Sequence, residues 1–316
     1  MFDRRKFIQT TTLGAGSLWI PQQQGFSSIQ NTNKKISLNL FTKPLDKFGA
    51  DFMMDTIQMS GLDGLDLTVR PKGCVLPEKV ERDLPKVAES AKNRGLGLEM
   101  MVTNINSIHT PHAEKTLTVA KNIGIKHYRL GYYRYNNKEN PTAVMNQAKV
   151  ELDKLLVMNQ KIGIQGGYQN HSGNYFGAPI WDLLHLLKNT PVEWMSSQYD
   201  IRHGVCEGYK SWWVALQMLA PKIGSLAIKD FTWQITDGAA KVKNVPLGEG
   251  IVDFDLYFQY LKSIGIIAPI TIHVEYPLLD PEEEQLPLLK KQQIIVSKLK
   301  NDVEFIKSKL IQHQIS

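Results

Sequence analysis

The chain has few of the features that would place it outside the ordinary globular proteins. It contains only two cysteines, Cys74 and Cys206, which excludes a disulfide-rich scaffold. No uninterrupted apolar run approaches the roughly 20 residues that a membrane-spanning helix needs, so we predict no membrane span. The 37 Lys and Arg residues against 31 Asp and Glu give a net charge of +6, but they form no arginine-rich block. We therefore predict no nucleic-acid partner.

The amino terminus carries the most specific local motif. Residues 3–9 read Asp-Arg-Arg-Lys-Phe-Ile-Gln, and a mildly apolar, glycine-containing stretch follows to residue 20. This pattern resembles a twin-arginine export signal; the alternative is a basic helix start that happens to contain two arginines. We assign residues 1–33 to the signal peptide and spacer and residues 34–316 to one domain. The protein is then predicted to be exported, to the periplasm or another extracytoplasmic compartment.

From residue 36 onward, short aliphatic runs alternate eight times with amphipathic segments, as is typical of parallel strands joined by crossover helices. Five of the predicted helices end in a short segment that begins with a polar residue and closes with glycine, a common helix stop signal. The glycines are Gly95, Gly124, Gly163, Gly224 and Gly265. The predicted strands are 36–41, 64–69, 96–103, 127–131, 163–169, 193–199, 225–231 and 269–276.

Two architectures fit this alternation. A doubly wound sheet should carry a Gly-rich phosphate turn after its first strand, but residues 41–45 read Phe-Thr-Lys-Pro-Leu. We therefore predict a single-domain α/β fold, a (β/α)8 TIM barrel. A longer insertion after strand seven, residues 232–252, contains the hairpin turn Asp237-Gly238 and is predicted to form a flap over the barrel mouth. The two cysteines follow strands two and six on opposite sides, which predicts free thiols.

The ends of strands five to eight are rich in polar residues. In a barrel of this type the active site lies at the carboxyl ends of the strands. Two-residue periodicity places Gln169 with His171 on one face, and His273 with Glu275 on another. Any single residue of this kind is often a helix cap or a satisfied structural group. Two carboxylates, three histidines and a lysine at four neighbouring strand ends need a ligand or cation between them, which predicts a functional site.

Several of these segments resemble one known family, the xylose isomerase-like barrels, which include sugar-phosphate isomerases, ketose 3-epimerases and inosose dehydratases. The resemblance covers nearly all of residues 36–310 and implies action next to the carbonyl of a sugar or keto-sugar, by isomerisation, epimerisation or elimination through an enediolate. The segments are Asn170-His171-Ser172-Gly173, Asp200 with His203, Lys229-Asp230, residues 245–254 and His273-Val274-Glu275-Tyr276.

The resemblance also implies a metal site. The family typically binds one divalent metal through Glu, Asp, His and Glu at the ends of strands five to eight. These positions fall on Gln169, Asp200, Ala227 and Glu275, so two of the four ligands are retained. In the epimerases the two glutamates are also the acid and the base. Gln169 cannot take a proton at neutral pH, so the ordinary two-glutamate reaction lacks one partner here.

Two arrangements could offset the charges of Asp200 and Glu275. In the first, the Lys229 ammonium neutralises the pair, and Glu275 or His171 handles protons without a metal. In the second, Mg²⁺ or Mn²⁺ is held by both carboxylates, the Gln169 carbonyl oxygen and one imidazole from strand five or six.

The predicted partner is a small-molecule carbohydrate, unphosphorylated because phosphorylated sugars are largely cytoplasmic. The alternative function is a non-catalytic carbohydrate-binding barrel that has lost its metal ligands. Catalytic roles are predicted for Glu275, Lys229 and His171. Substrate contacts are predicted for His203, Gln169, Tyr168 and His273. Metal ligation is predicted for Asp200, Glu275 and Gln169. Stacking faces for a sugar ring are predicted for Tyr132, Tyr133, Tyr135, Tyr168 and Tyr175.

The twin-arginine interpretation predicts that Arg4→Lys combined with Arg5→Lys keeps the protein in the cytoplasm, because the export machinery reads that pair. Cell fractionation is the measurement. Unchanged localisation of the double variant would show that the amino terminus is a different kind of signal.

Overall fold

The computed structural model describes residues 36–315, so the predicted export signal at residues 1–33 lies outside the described residues. Eight parallel strands close a barrel in which β1 pairs with β10, and β8 and β9 form a separate antiparallel hairpin. The strands are β1 Leu38–Phe41, β2 Gly64–Thr68, β3 Gly97–Val102, β4 His127–Arg129, β5 Gln165–Gln169, β6 Met195–Asp200, β7 Ile223–Ile228, β8 Asp230–Thr236, β9 Ala239–Val245 and β10 Ile270–Ile272. The predicted (β/α)8 barrel and each of its eight strands are confirmed.

Helices cover the outside of the barrel and complete the βα alternation. No helix within residues 36–315 has the length and apolar character that a bilayer crossing requires. The helices are α1 Ala50–Met59, α2 Val80–Asn93, α3 Ala113–Asn122, α4 Pro141–Ile162, α5 Trp181–Leu186, α6 Ile201–Gly208, α7 Trp212–Leu219, α8 Phe254–Ser263 and α9 Leu288–Gln312.

The strands bury apolar side chains toward the helices and polar ones inside the barrel. In β2, Leu65 and Leu67 are buried in the apolar core, whereas Asp66 between them is buried inside the barrel and lies near His273, which follows β10 on the far side of β1. Asn39 of β1 likewise reaches the Met100 sulfur across the interior, at 3.6 Å. The main apolar core therefore lies between sheet and helices, and the barrel interior is unusually polar for a fold whose interior is commonly filled by branched aliphatic residues.

Four of the five predicted glycine exits are confirmed as left-handed residues after helices. Gly95, Gly124, Gly163 and Gly265 have φ values of 71°, 96°, 81° and 68°. Gly224 instead lies inside β7, so its prediction as a helix exit is wrong. A Cβ atom at Gly224 would lie 2.4 Å from the Ser196 hydroxyl oxygen, so close approach of neighbouring strands requires glycine there.

The predicted hairpin in the insertion is confirmed. Asp237 and Gly238 at its tip have φ values of 54° and 74°, as a two-residue turn with both residues left-handed requires. At its base, Asn244 accepts a hydrogen bond from Arg202 at 3.1 Å, and its Nδ2 lies 3.5 Å from Glu275 Oε2. The hairpin therefore stands beside the carboxyl ends of the strands.

Both cysteines are free thiols. Cys74 lies after β2, whereas Cys206 lies in α6, which follows β6. The two cysteines are therefore in different parts of the barrel. Burial raises the pKa of the Cys74 thiol to about 11, which keeps it protonated and unreactive at neutral pH.

Asp230, the first residue of β8, holds the chain that follows the hairpin. Its buried carboxylate accepts backbone N–H groups from Gly248 at 3.1 Å, Gly250 at 2.9 Å and Val252 at 3.2 Å. A Cβ atom at Gly250 would lie 2.1 Å from Asp230 Oδ1, so the loop can approach the carboxylate only with glycine there. Asp230 therefore has a structural role.

Asp230→Ala should lower the free energy of unfolding by about 2–4 kcal/mol, because it leaves three loop N–H groups without their charged acceptor. Urea denaturation followed by circular dichroism measures the change. Asp51→Ala is the matched control: its side chain in the first turn of α1 is 82% exposed, and we expect a change below about 1 kcal/mol. Equal midpoints for the two variants would contradict the structural role.

Candidate functional site

A buried lysine lies at the centre of the strand-end cluster. Lys229 follows β7 directly, and its side chain is only 3% exposed. Its Nζ lies 3.2 Å from Asp200 Oδ2 and 3.1 Å from Glu275 Oε1. Asp200 is fully buried, whereas the Glu275 side chain is 30% exposed and reaches the barrel mouth. The cation demanded by the two carboxylates is therefore present as a side chain of this protein.

The charges of this triad support one another. Burial alone would lower the pKa of Lys229, but the carboxylates of Asp200 and Glu275 outweigh it and raise that pKa. Burial alone would raise the pKa of Glu275, but the Lys229 charge and hydrogen bond lower it. Lys229 and Glu275 are therefore both ionised at neutral pH.

Asp200 is fixed by the ends of two strands and the start of a helix. Its Oδ1 accepts the His203 backbone N–H at 3.1 Å, so it caps α6, while Oδ2 accepts Gln169 Nε2 at 2.7 Å. The Asn170 side chain also bonds both the N–H and the C=O of Asp200, at 2.7 and 2.9 Å. Asp200 therefore serves at once as a helix cap and as a charged group of the site.

Gln169 is oriented by Arg129, which was not predicted to belong to the site, and by Tyr132, which was predicted only as a stacking face. Its Oε1 accepts Arg129 Nη1 at 2.8 Å and the Tyr132 hydroxyl at 2.6 Å, so its NH₂ group points to Asp200. The inward alternation of His127 and Arg129 on β4 was the signal available in the sequence, since a buried arginine needs a partner. The Gln169 carbonyl oxygen is therefore occupied by donors of the protein itself.

The residues present do not fit the divalent metal that the family pattern implies. Ala227 carries no donor atom, the Gln169 carbonyl oxygen accepts two protein hydrogen bonds, and Lys229 lies between the two carboxylates. Within residues 36–315, no three His, Cys, Asp or Glu side chains are grouped so that they could hold a metal ion. An ammonium at this point repels a second cation.

His203 is a neutral ring with a defined tautomer. Its Nδ1 accepts the Ser172 backbone N–H at 3.1 Å and Arg202 Nη1 at 2.8 Å, so the ring proton is on Nε2. Nε2 lies 3.8 Å from Asp200 Oδ2. Burial and the nearby charge of Lys229 hold the pKa of His203 well below its usual value. His203 can therefore donate a hydrogen bond from Nε2, and it is not a base.

His171 has the opposite tautomer to His203, and its ring packs among other aromatic rings. Its Nδ1 lies 2.9 Å from the Ser172 carbonyl oxygen and donates to it, so Nε2 of the neutral ring is an acceptor. Burial lowers the pKa of His171. The His171 ring centroid is 4.0 Å from that of His203, 4.2 Å from Tyr175 and 5.1 Å from Tyr132. His171 is therefore suited to accept a proton.

The substrate contact predicted for Tyr168 does not agree with its position. Gln169 faces into the barrel, so the adjacent Tyr168 points outward, where it is fully buried. Its hydroxyl accepts the Tyr133 backbone N–H at 2.9 Å, and the two rings stack at 5.6 Å. Tyr135 packs on Phe176 in the same region, at 4.3 Å. Of the five tyrosines considered, only Tyr132 and Tyr175 contact the ring of a site histidine.

His273 faces inward with Glu275, but it lies below the mouth. It is buried, its ring stacks on Phe41 at 4.5 Å, and its Nε2 is 4.0 Å from Asp66 Oδ2. Burial raises the pKa of Asp66 to about 6, and burial together with the Lys229 charge lowers the pKa of His273 far below its usual value. His273 therefore lies beside Asp66 beneath Glu275, and its predicted substrate contact stays a prediction.

Comparisons with known proteins agree with the barrel fold. The family model described as xylose isomerase-like TIM barrel matches residues 55–292. An L-ribulose 3-epimerase structure has a TM-score of 0.64 and 14% identity, covering 89% of this chain and 96% of that one. D-allulose 3-epimerase from Methylomonas sp. has a TM-score of 0.63 and 15% identity, covering 88% and 99%. 3-Keto-D-glucoside 4-epimerase from E. coli has a TM-score of 0.64 and 12% identity, covering 87% and 100%. No curated protein matches the chain in sequence.

Lys229→Met should lower the free energy of unfolding by about 3–5 kcal/mol, because it leaves the buried Asp200 carboxylate without its cation. Adding Asp200→Asn should restore more than half of that loss, which urea denaturation measures as a double-mutant cycle. Lys241→Met, on the exposed hairpin, is the control and should cost less than about 0.5 kcal/mol. No recovery in the double variant would mean that Lys229 does not compensate Asp200.

Proposed function

This chain belongs to the xylose isomerase-like TIM barrel family, and we propose that it is an enzyme that moves a proton next to the carbonyl of a sugar or keto-sugar. The observation that carries the proposal is the Lys229 ammonium, held 3.1 Å from a mouth-facing, ionised Glu275. A base beside a fixed positive charge is the pair that an enediolate intermediate needs.

Each group has a chemical role in this reaction. Glu275 takes the proton from the carbon next to the carbonyl, and Lys229 stabilises the negative charge that develops on the oxygen. His171 accepts the proton of the neighbouring hydroxyl on Nε2 and passes it to the former carbonyl oxygen. Glu275 then returns its proton to the former carbonyl carbon, which completes an isomerisation with no net gain or loss.

The same enediolate leads to the other two reactions implied by the family. Delivery of a proton to the original carbon from its other face by a water molecule, whose hydroxide then takes the proton held by Glu275, gives epimerisation. Loss of an oxygen substituent from the next carbon, which leaves as water or an alcohol with the proton held by Glu275, gives elimination. His203 supports either outcome, because its Nε2–H can donate to a substrate oxygen beside Asp200. Gln169 takes part by holding Asp200 in place.

The substrate is proposed to be an unphosphorylated sugar, glycoside or oxidised sugar. The proposed twin-arginine export supports this, because phosphorylated sugars are largely cytoplasmic. The similar fold of 3-keto-D-glucoside 4-epimerase from E. coli agrees with a keto-sugar substrate.

A second candidate function is a carbohydrate-binding barrel without catalysis. Gln169 and Ala227 favour it, because they stand where the family has a glutamate and a histidine.

The binding of Mg²⁺ or Mn²⁺ at this site stays a prediction. Metal analysis of protein purified without added metal would test it.

Glu275→Gln tests the proposed enzyme, because it keeps the size and hydrogen bonding of the side chain and removes the base. Proton exchange of keto-sugars in heavy water, followed by NMR, should fall by about 10²–10⁴-fold. Glu89→Gln, at an exposed position of α2, is the matched control and should exchange at the wild-type rate.

The outcomes separate the candidates. Wild-type exchange in Glu275→Gln would show that the assigned base is wrong. Sugar binding without exchange in the wild type would favour the carbohydrate-binding barrel.

A further inference from the structure

We propose that the barrel mouth contains a second subsite, built around Arg70, that binds an anionic group of the sugar, most simply the carboxylate of a sugar acid. This inference rests on the proposed function and specifies its substrate class. The subsite is a cavity of about 670 Å³ formed by the loops that follow β1, β2 and β3. We call it the basic pocket; the side chains that define it are those of Lys43, Asp46, Lys47, Arg70, Lys72 and Asn104.

The basic pocket has an excess of positive charge. Lys47 is paired with Glu284 at 2.6 Å, whereas Lys43, Arg70 and Lys72 make no ion pair with any carboxylate in residues 36–315. Three cations without a partner around one cavity repel one another and favour an anion between them.

Asp46 carries the only carboxylate that lines the basic pocket, and its hydrogen bonds are with threonine hydroxyls. Asp46 accepts the Thr68 hydroxyl at 2.8 and 2.9 Å and the Thr42 hydroxyl at 3.2 Å. Burial raises the pKa of Asp46, so its charged form is less favoured than that of an exposed aspartate. Asp46 therefore offsets only part of the positive charge, since it interacts with Arg70 and Lys43 without forming an ion pair with either.

The loop that presents Arg70 and Lys72 is fixed before any ligand arrives. The Arg70 N–H donates to the Val75 carbonyl at 3.1 Å, and the Gly73 N–H donates to the Arg70 carbonyl at 2.9 Å. A Cβ atom at Gly73 would lie 3.0 Å from both the Cβ and the carbonyl oxygen of Thr68, so a larger residue would force this tight turn to shift. Lys72 has a φ of 62°, in the left-handed region that non-glycine residues rarely adopt. Preorganisation of this kind lowers the entropic cost of binding.

The guanidinium of Arg70 is partly buried, and although the charges of Asp46 and Asp66 act on it, it forms no ion pair with a carboxylate in residues 36–315. It lies 5.6 Å from the centroid of the Phe41 ring, which positions its planar group over an aromatic face. Burial lowers the pKa of Arg70, and the charge of Arg129 lowers it further. A carboxylate or phosphate bound in the bidentate manner typical of arginine would relieve both effects.

The basic pocket adjoins the proposed reacting groups. Phe41, below Arg70, stacks on His273 of the segment that also carries Glu275. The positive charge of Lys43 reaches both residues, since it contributes to the lowered pKa of Glu275 and of His273. One sugar molecule can therefore place its anionic end at Arg70 and its carbonyl near Glu275. A carboxylate also agrees with an unphosphorylated substrate.

Isothermal titration calorimetry in the Glu275→Gln background tests the subsite without turnover. The probes are D-glucuronate, D-glucose, inorganic phosphate and sulfate, each titrated alone. We expect D-glucuronate to bind at least tenfold more tightly than D-glucose. Arg70→Gln should remove this preference and leave D-glucose binding unchanged. Arg82→Gln, the same change at an exposed arginine of α2 paired with Asp83, should have no effect.

The phosphate and sulfate titrations identify the anion, and a second variant keeps the test valid if the first does not fold. Phosphate or sulfate binding more tightly than D-glucuronate, with the same Arg70 dependence, supports the subsite and assigns it to a phosphorylated or sulfated sugar. If Arg70→Gln does not fold, Lys72→Gln replaces it in the test. Lys72 lies on the exposed side of the pocket, and its substitution should weaken anion binding about threefold. No anion binding before substitution, or unchanged anion affinity in the pocket variants, overturns the proposal. Arg70-dependent binding together with absent proton exchange would overturn only the proposed enzyme.

Discussion

The ion pairs of Lys229 with Asp200 and Glu275 are the interaction on which the site depends. Burying an ammonium is costly unless opposite charges meet it at short range, and two carboxylates contributed by β6 and the segment after β10 do so. These partners are themselves fixed: Asp200 caps α6 and accepts a hydrogen bond from Gln169. The position of one lysine is thereby linked to the pairing of four neighbouring strands, β10, β7, β6 and β5.

A polar barrel interior follows from the same constraint. The strands supply apolar side chains to the layer between sheet and helices, so that layer carries most of the hydrophobic stabilisation. The inward positions are then open to charged and polar groups such as Asp66, Arg129 and Lys229, which interact across the barrel. Their buried charges offset one another only in this closed geometry, which makes the interior specific as well as costly.

Much of the fold could be predicted from the sequence because strand and helix patterns are local. The eight strands follow from short aliphatic runs, and the hairpin follows from Asp237-Gly238. Period-two alternation also placed Gln169 and Glu275 inward, and the same rule excludes Tyr168, which was nevertheless predicted to bind substrate. The inward position of Arg129 could be predicted from the same alternation, but the partners of Arg129, Tyr132 and Asp66 could not, because they depend on the register between strands. Gly224 was misplaced because a helix exit and a close strand approach both select glycine.

The anchoring of the insertion by Asp230 bears on how this barrel can diversify. Asp230 follows Lys229 directly and binds the returning loop at Gly248, Gly250 and Val252, so both ends of the hairpin are held beside the ammonium. The residues between these fixed ends extend outward, and Ile235 near the tip is 70% exposed. Length and sequence can therefore vary at the tip while the position of the ammonium is kept. A longer hairpin can be accommodated there without moving the ion pairs of Lys229.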